Sequence, residues 1–278
     1  MTQLTMTTLA LWSITLLLMS LSASSLATSS AVTSFEQGVE QYNNENYSQA
    51  YNMLLESANK QNNQAQFLVG HMALFGIGTE KKPEKALELL TLSANAGNPS
   101  AQSYMGTIYL QGELVEKNEQ KAAKWLLLAA ENGVAEAQNN LAHLFINGQG
   151  VEPSTEQAFH WFEKAAEQGL LDAKLSLGLM YEQGIYVKQD YQKAAQFYQV
   201  AAEKGAPQGM HNIGMMLLYG HGFEKNTEKA CNFFTTAAQL GFQDSINNLN
   251  ILIQKGICQA IATDAHQSHA MDNSFKPF

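Results

Sequence analysis

Four sets of small residues recur every 36 residues along this chain, and that period constrains its fold more than any other feature. Ala86, Ala122, Ala158, Ala194 and Ala230 hold one phase. Gly76, Gly112, Gly148, Gly184, Gly220 and Gly256 hold a second. Ala94, Ala130, Ala166, Ala202 and Ala238 hold a third, and Gly97, Gly133, Gly169, Gly205 and Gly241 a fourth. A strict period in this range marks stacked supersecondary units, so the chain is expected to form one elongated array and not two globules. Such arrays usually present a surface and do not house a reaction.

The stretch from Ala137 to Asp172 shows how one unit reads. Leu141, Leu144 and Phe145 fall at helical spacing, and Gly148 ends that helix in the left-handed cap that glycine adopts at little cost. Ser154 then caps a second helix, with Asn118, Asp190 and Asn226 at the same phase in other units. Ala158, Trp161, Phe162, Ala165 and Ala166 form its apolar stripe, and Gly169 closes it. Each unit is therefore an antiparallel helix pair, with no strand between units. Gly70, Gly106, Ala142, Gly178 and Gly214 share a phase inside the first helix. A mid-helix glycine is about 1 kcal/mol less favourable than alanine, so its recurrence implies a close neighbour. Trp125, Trp161, Phe197 and Phe233 are the expected partners, as core side chains.

Composition narrows the function classes. The formal charge is −9 and every basic residue is lysine, with no arginine and no lysine cluster. That argues against nucleic acid, whose recognition rests on phosphate neutralisation and arginine contacts to bases. Nothing before Glu36 is charged, and Leu9 to Leu21 is an apolar run followed by small residues. The run is short for a membrane span and reads as a signal peptide, with cleavage near Ala27 or Ala31. Its n-region lacks Lys and Arg, so an uncleaved N-terminal anchor is the rival reading. Cys231 and Cys258 are the two cysteines. Folding the closing helix back about Gly241 brings them together, giving either a disulfide that staples the C-terminal cap or two unpaired thiols.

The pattern resembles the Sel-one-like repeat family, a branch of the tetratricopeptide-like helical repeats. Ala101-Gln102, Gly106, Tyr109, Gly112, Ala122, Trp125, Ala129-Ala130 and Gly133 fit its frame, as do Ala173, Leu177-Gly178, Tyr181, Gly184, Ala194, Phe197, Ala201-Ala202 and Gly205. Leu89, Ser93, Ser245 and Asn250 depart from it. The resemblance implies an all-α fold: a right-handed superhelical α-solenoid of antiparallel helix pairs. The expected layout is a leader over residues 1–31, a capping hairpin over 32–62, five repeats over 63–242, a closing helix over 243–256 and a flexible polar tail over 257–278. Family members typically act as adaptors in multiprotein assemblies, often envelope-associated or secreted in bacteria. Some cysteine-rich relatives are described as penicillin-binding or β-lactamase-like.

Little in the sequence points to chemistry. Ser57-Ala-Asn-Lys60 matches Ser-x-x-Lys, but no Ser-Asp-Asn or Lys-Thr-Gly follows. His266 and His269 form a poor metal site without further ligands, and His71 and His143 stand two units apart. His160 and His211 have no partner in phase. No cofactor and no metal are expected.

Binding is the better expectation. In helical-repeat superhelices the first helices line the concave face. Three phases there vary in type while the core phases stay apolar. One carries Leu68, Tyr104, Asn140, Ser176, Asn212 and Asn248; a second carries His71, Thr107, His143, Leu179, Met215 and Ile251; a third carries Phe75, Gln111, Asn147, Gln183, Tyr219 and Lys255. Asn and Gln each donate and accept, which suits an extended peptide backbone of any sequence. The alternative is a solvated helix face with no partner. The chain is thus expected to be an exported, monomeric, non-catalytic scaffold for a protein or peptide ligand, periplasmic or secreted. Rival readings are an envelope protein of the β-lactamase-like or peptidoglycan-binding kind and a secreted host-interaction factor.

Overall fold

The computed structural model describes residues 33–259, and these form thirteen α-helices without a strand. In order they are α1 (Ser34–Asn43), α2 (Tyr47–Asn59), α3 (Asn63–Phe75), α4 (Pro83–Asn95), α5 (Pro99–Gln111), α6 (Glu119–Glu131), α7 (Ala135–Asn147) and α8 (Thr155–Glu167). There follow α9 (Leu171–Gln183), α10 (Tyr191–Glu203), α11 (Pro207–Tyr219), α12 (Thr227–Gln239) and α13 (Gln243–Gln254). The helices gather into two compact units that divide between Leu170 and Leu171. Sequence phase runs unbroken through that point, so periodicity alone predicted one array and not this division.

In the first unit, α1/α2, α3/α4, α5/α6 and α7/α8 pack as antiparallel hairpins, and each second helix also packs on the next first helix. In the second unit, α9/α10 and α11/α12 repeat this arrangement and α13 lies on α12. The fold is a solenoid of helix pairs whose boundaries are set by side chains at fixed phases. Asn118, Ser154, Asp190 and Asn226 accept backbone N–H groups in the first turns of α6, α8, α10 and α12 at 2.8–3.2 Å. Each satisfies a donor that has no partner within its helix. Asn62 and Asn98 do the same for α3 and α5 at 2.9 Å, caps not anticipated from the repeat. Gly76, Gly112, Gly148 and Gly220 close first helices in the left-handed region.

The core lies along the hairpin seams. Val69, Met105, Leu141, Leu177 and Ile213 are buried, as are Met72, Ile108, Leu144, Met180 and Met216. The mid-helix glycines meet a different partner from the one expected. A β-carbon at Gly70, Gly106, Gly178 or Gly214 would press on Leu90, Leu126, Tyr198 or Phe234 at 2.5–2.9 Å. These stand one residue beyond the phase of Trp125, Phe197 and Phe233. One residue is about 100° of helix rotation, which separates the buried centre of an apolar stripe from its half-buried edge.

A buried amide adds a second tie in the first unit. Gln66, Gln102 and Gln138 donate Nε2–H to the carbonyls of Ala58, Ala94 and Ala130 at 3.4, 3.3 and 3.0 Å. Those carbonyls lie in the last turns of α2, α4 and α6, where intrahelical N–H donors run out, and each also accepts a turn N–H from Gln61, Gly97 or Gly133 at 3.0–3.1 Å. Lys174 and Met210 take this phase in the second unit.

At the C-terminal end Cys231 and Cys258 form a disulfide with Cα atoms 5.7 Å apart. The Ile257 and Cys258 amides donate to the Leu252 carbonyl at 2.8 and 3.2 Å, and Cys258 is buried. The disulfide and these bonds hold Cys258 against the end of α13. The apolar leader, both cleavage positions, His266 and His269 lie outside the described residues.

Candidate protein-binding face

The exposed sides of the first helices carry the variable phases, and each unit presents its own set. In the first unit the face is closed at its N-terminal end. His71 is only 2% exposed and Leu68 1%, against the expectation that His71 is open to a ligand. The reason is aromatic packing: the His71 ring lies 4.6 Å from Phe75, 6.1 Å from Tyr104 and 6.5 Å from Phe67 between centroids. Phase arithmetic treats all units alike and could not show this filling. Both His71 nitrogens and the Tyr104 hydroxyl are buried without a hydrogen-bond partner among the described residues. Burial drives the His71 imidazole down to about 4 and pushes the Tyr104 phenol up. Phe75 is half-buried, its ring turned to His71 and not wholly to solvent.

Beyond this plug the face opens. Asn140 is half-buried, while Gln111, His143 and Asn147 are exposed. The His143 ring sits edge-on to Phe162 at 4.9 Å, and the Asn147 amide reaches Gln149 at 3.4 Å. Thr107 is half-buried and donates its hydroxyl to the Ser103 carbonyl at 3.2 Å, so its donor is used within α5. In the second unit Asn212, Met215 and Asn248 are half-buried, and Asn248 Nδ2 lies 3.4 Å from Met215 Sδ. That contact joins a side chain of α11 to one of α13.

Apolar members of these phases are exposed as well. Leu179 is 43% exposed, Tyr219 60% and Ile251 47%. Leu179, Met215 and Ile251 share the phase of His71 and His143, so the sequence placed them on this face; exposure is what it could not supply. The faces carry amides, hydroxyls, imidazole and apolar groups with hardly a formal charge, in a chain whose total is −9.

Other candidates assemble no chemistry. Ser57 is 5% exposed, and the Lys60 ammonium pairs with Glu56 at 2.6 Å and not with the serine. His211 Nδ1 lies 2.8 Å from Ser245 Oγ, but Ser245 is fully buried and offers no nucleophile to a substrate. Burial lowers the His211 pKa against the opposing pull of Asp244. A shallow cleft of about 350 Å³ is lined by Tyr181, Val187, Lys188, Gln189, Asp190 and Lys193. Its polar walls are engaged: Gln189 bonds the Glu182 carbonyl at 2.8 Å, Asp190 caps α10, and Lys193 lies 5.0 Å over the Tyr181 ring. Among the described residues no group of three or more His, Cys, Asp or Glu could hold a metal ion. No described helix is long and apolar enough to cross a membrane.

Known proteins share this architecture. A Sel1 repeat protein from Oxalobacter formigenes superposes with a TM-score of 0.77 at 29% identity, over 81% of this chain and 90% of that one. The antigen c5321, described as protective and present in uropathogenic Escherichia coli strains, superposes with a TM-score of 0.69 at 29% identity, over 74% of this chain. Only 44% of the antigen's length is matched. No curated protein matches the chain. The Sel1 repeat model matches residues 63–98, 99–134, 135–170, 171–205 and 207–242, the same five units that the helix pairs define. Such repeats build helical scaffolds suited to protein–protein interaction and are generally non-catalytic. With repeat, fold and model in register over most of its length, the chain belongs to the Sel1 repeat family.

Proposed function

We propose that this protein is an exported, monomeric, non-catalytic scaffold that holds a protein or peptide against its first-helix faces. The observation that carries this reading is the open, nearly uncharged run of amides and imidazole at Gln111, Asn140, His143 and Asn147, matched in the second unit by Asn212 and Asn248. Amides can pair with a peptide backbone whatever its sequence. A solenoid holds them preorganised, so little ordering entropy opposes binding. The Cys231–Cys258 disulfide supports export, since such bonds persist in oxidising compartments, and so does the apolar segment Leu9 to Leu21.

Crosslinked pull-down from the cell envelope tests the reading, comparing wild type with the Asn140→Ala/His143→Ala/Asn212→Ala variant. Loss of the captured partner in the variant is expected; identical captures remove the face assignment. N-terminal sequencing decides between cleavage and anchoring, and an intact Met1 favours the anchor. The burial of Ser57 and the engagement of Lys60 favour no hydrolase reading. Wild type and Ser57→Ala are expected to turn over a chromogenic β-lactam equally and negligibly.

A further inference from the structure

We propose that the loop end of the second unit, from the cleft at the start of α10 to the end of α11, binds an acidic oligosaccharide. Two departures from the repeat meet there. The first is aromatic. Tyr191, His221 and Tyr219 stand at the phases of Glu119, Gln149 and Asn147. In the first unit those residues form a polar chain, with Gln149 Nε2 on the Glu119 carboxylate at 3.1 Å and Asn147 Nδ2 on the Gln149 oxygen at 3.4 Å. In the second unit they form a ring stack. The His221 ring lies 4.4 Å from Tyr191 at 20° and 5.9 Å from Tyr219 at 32°. Polar side chains close the same loop in the first unit, so the fold does not require rings there. Tyr219 is 60% exposed, a flat apolar surface held in place by its neighbours.

The second departure is in charge. One phase carries exposed Glu80, Glu116, Glu152 and Glu224, but Lys188 in the fourth repeat. Lys188 lines the cleft of about 350 Å³ together with Gln189 and Lys193. Its ammonium makes no ion pair or hydrogen bond among the described residues. Asp190 is the one carboxylate lining the cleft, and its Oδ1 accepts the Gln192 and Lys193 amides at 3.0 Å. The cleft thus sets two ammonium groups against one carboxylate, in a chain whose total charge is −9. Gln189 joins cleft and stack: its Nε2 donates to the Glu182 carbonyl at 2.8 Å and to the Tyr191 hydroxyl at 3.0 Å.

That combination selects the ligand. An open aromatic face receives the C–H face of a pyranose ring, and amide and phenol groups pair with sugar hydroxyls. The ammonium groups hold a carboxylate or phosphate carried by the sugar. An acidic peptide would use the lysines and leave the ring idle, and a single-stranded nucleic acid needs a longer basic track than two lysines. The site goes beyond the peptide-binding reading of the first-helix faces and does not depend on it.

Isothermal titration of the full-length protein tests the proposal. The acidic probes are tri-galacturonate and phosphorylated maltotriose, with galactotriose and maltotriose as neutral counterparts. Lys188→Glu and Tyr219→Gln install residues that the same phases hold at Glu224 and Gln183, so both variants keep the solenoid, checked by helical circular dichroism. Wild type should bind at least one acidic probe about tenfold tighter than its neutral counterpart. Lys188→Glu should abolish that preference, and Tyr219→Gln should weaken acidic and neutral probes alike by several-fold. No acidic preference in wild type, or unchanged binding in either variant, overturns the proposal. Tighter binding of pentaglutamate or oligothymidylate than of either acidic saccharide also overturns it.

Discussion

His71 and Tyr104 face each other with ring centroids 6.1 Å apart, and the imidazole nitrogens and the phenol are all buried without hydrogen-bond partners among the described residues. A buried polar group without a hydrogen bond is destabilising, and a charged one more so. His71 therefore stays neutral in the folded state, at a pKa of about 4 against 6.5 for the free side chain. Between those values the unfolded chain binds a proton that the folded chain does not. Stability must fall as pH drops through this window, by up to roughly 3 kcal/mol from this group. Urea melts at pH 7 and pH 4.5 check this. The stability loss on acidification should be clearly smaller for His71→Leu than for wild type, and parallel losses would contradict it.

Glycine phases separate into two physical classes that a single pair of variants distinguishes. Gly150 has φ +72, and a β-carbon there would strike the carbonyl of Glu119. Gly133 has φ +85 but open space around it. Gly133→Ala should lose about 1 kcal/mol, the strain of a left-handed alanine. Gly150→Ala adds a backbone clash to that strain and should lose at least about 2 kcal/mol more. Thermal denaturation of both variants gives the comparison; equal losses would mean that the loop relaxes freely.

The disulfide closes a loop with a sequence separation of 27 that takes in most of α12 and all of α13. Chain-entropy arguments give such a crosslink about 3.5 kcal/mol. A Cys231→Ser/Cys258→Ser variant should lose protection first in α13 when followed by hydrogen exchange, while α3 to α8 keep theirs. A free-thiol count on non-reduced protein should find none; two titratable thiols would remove the crosslink.

Amide clamps in the first unit predict a graded effect. Gln138→Leu removes the second donor on the Ala130 carbonyl, which keeps the Gly133 N–H at 3.0 Å, and also frees Gln168, which bonds the Gln138 oxygen at 2.8 Å. A loss of about 1–3 kcal/mol is expected by denaturant unfolding. Met210 fills the same phase in the second unit, so Met210→Leu should change stability by less than about 1.5 kcal/mol, as volume-conserving apolar swaps do.

What the sequence made legible follows from which interactions are local. Caps at Ser154 and Asn226, left-handed ends at Gly148 and Gly220, and the core phases all depend on residues within one helix or its loop. Placing Trp125 opposite Gly106, where Leu126 stands, erred by one residue because packing across a hairpin depends on helix rotation. His71 was misplaced on the open face because its burial comes from Phe67 and Tyr104, a side chain from the next unit. The exposure of Leu179 and Ile251 was hidden for the converse reason: identical phases are buried in one unit and open in another, and only neighbouring side chains decide which.

The central claim is that a partner lies on the first-helix faces, and site-specific photocrosslinking in the native envelope tests it most directly. A photoreactive phenylalanine analogue would replace Asn140, His143 or Asn212 on those faces, and Lys124, Gln196 or Asn232 on exposed second-helix positions. Adducts of one defined mass from the first set, with none from the second, are predicted. Adducts from Lys124, Gln196 and Asn232 while the first set stays silent would contradict the account.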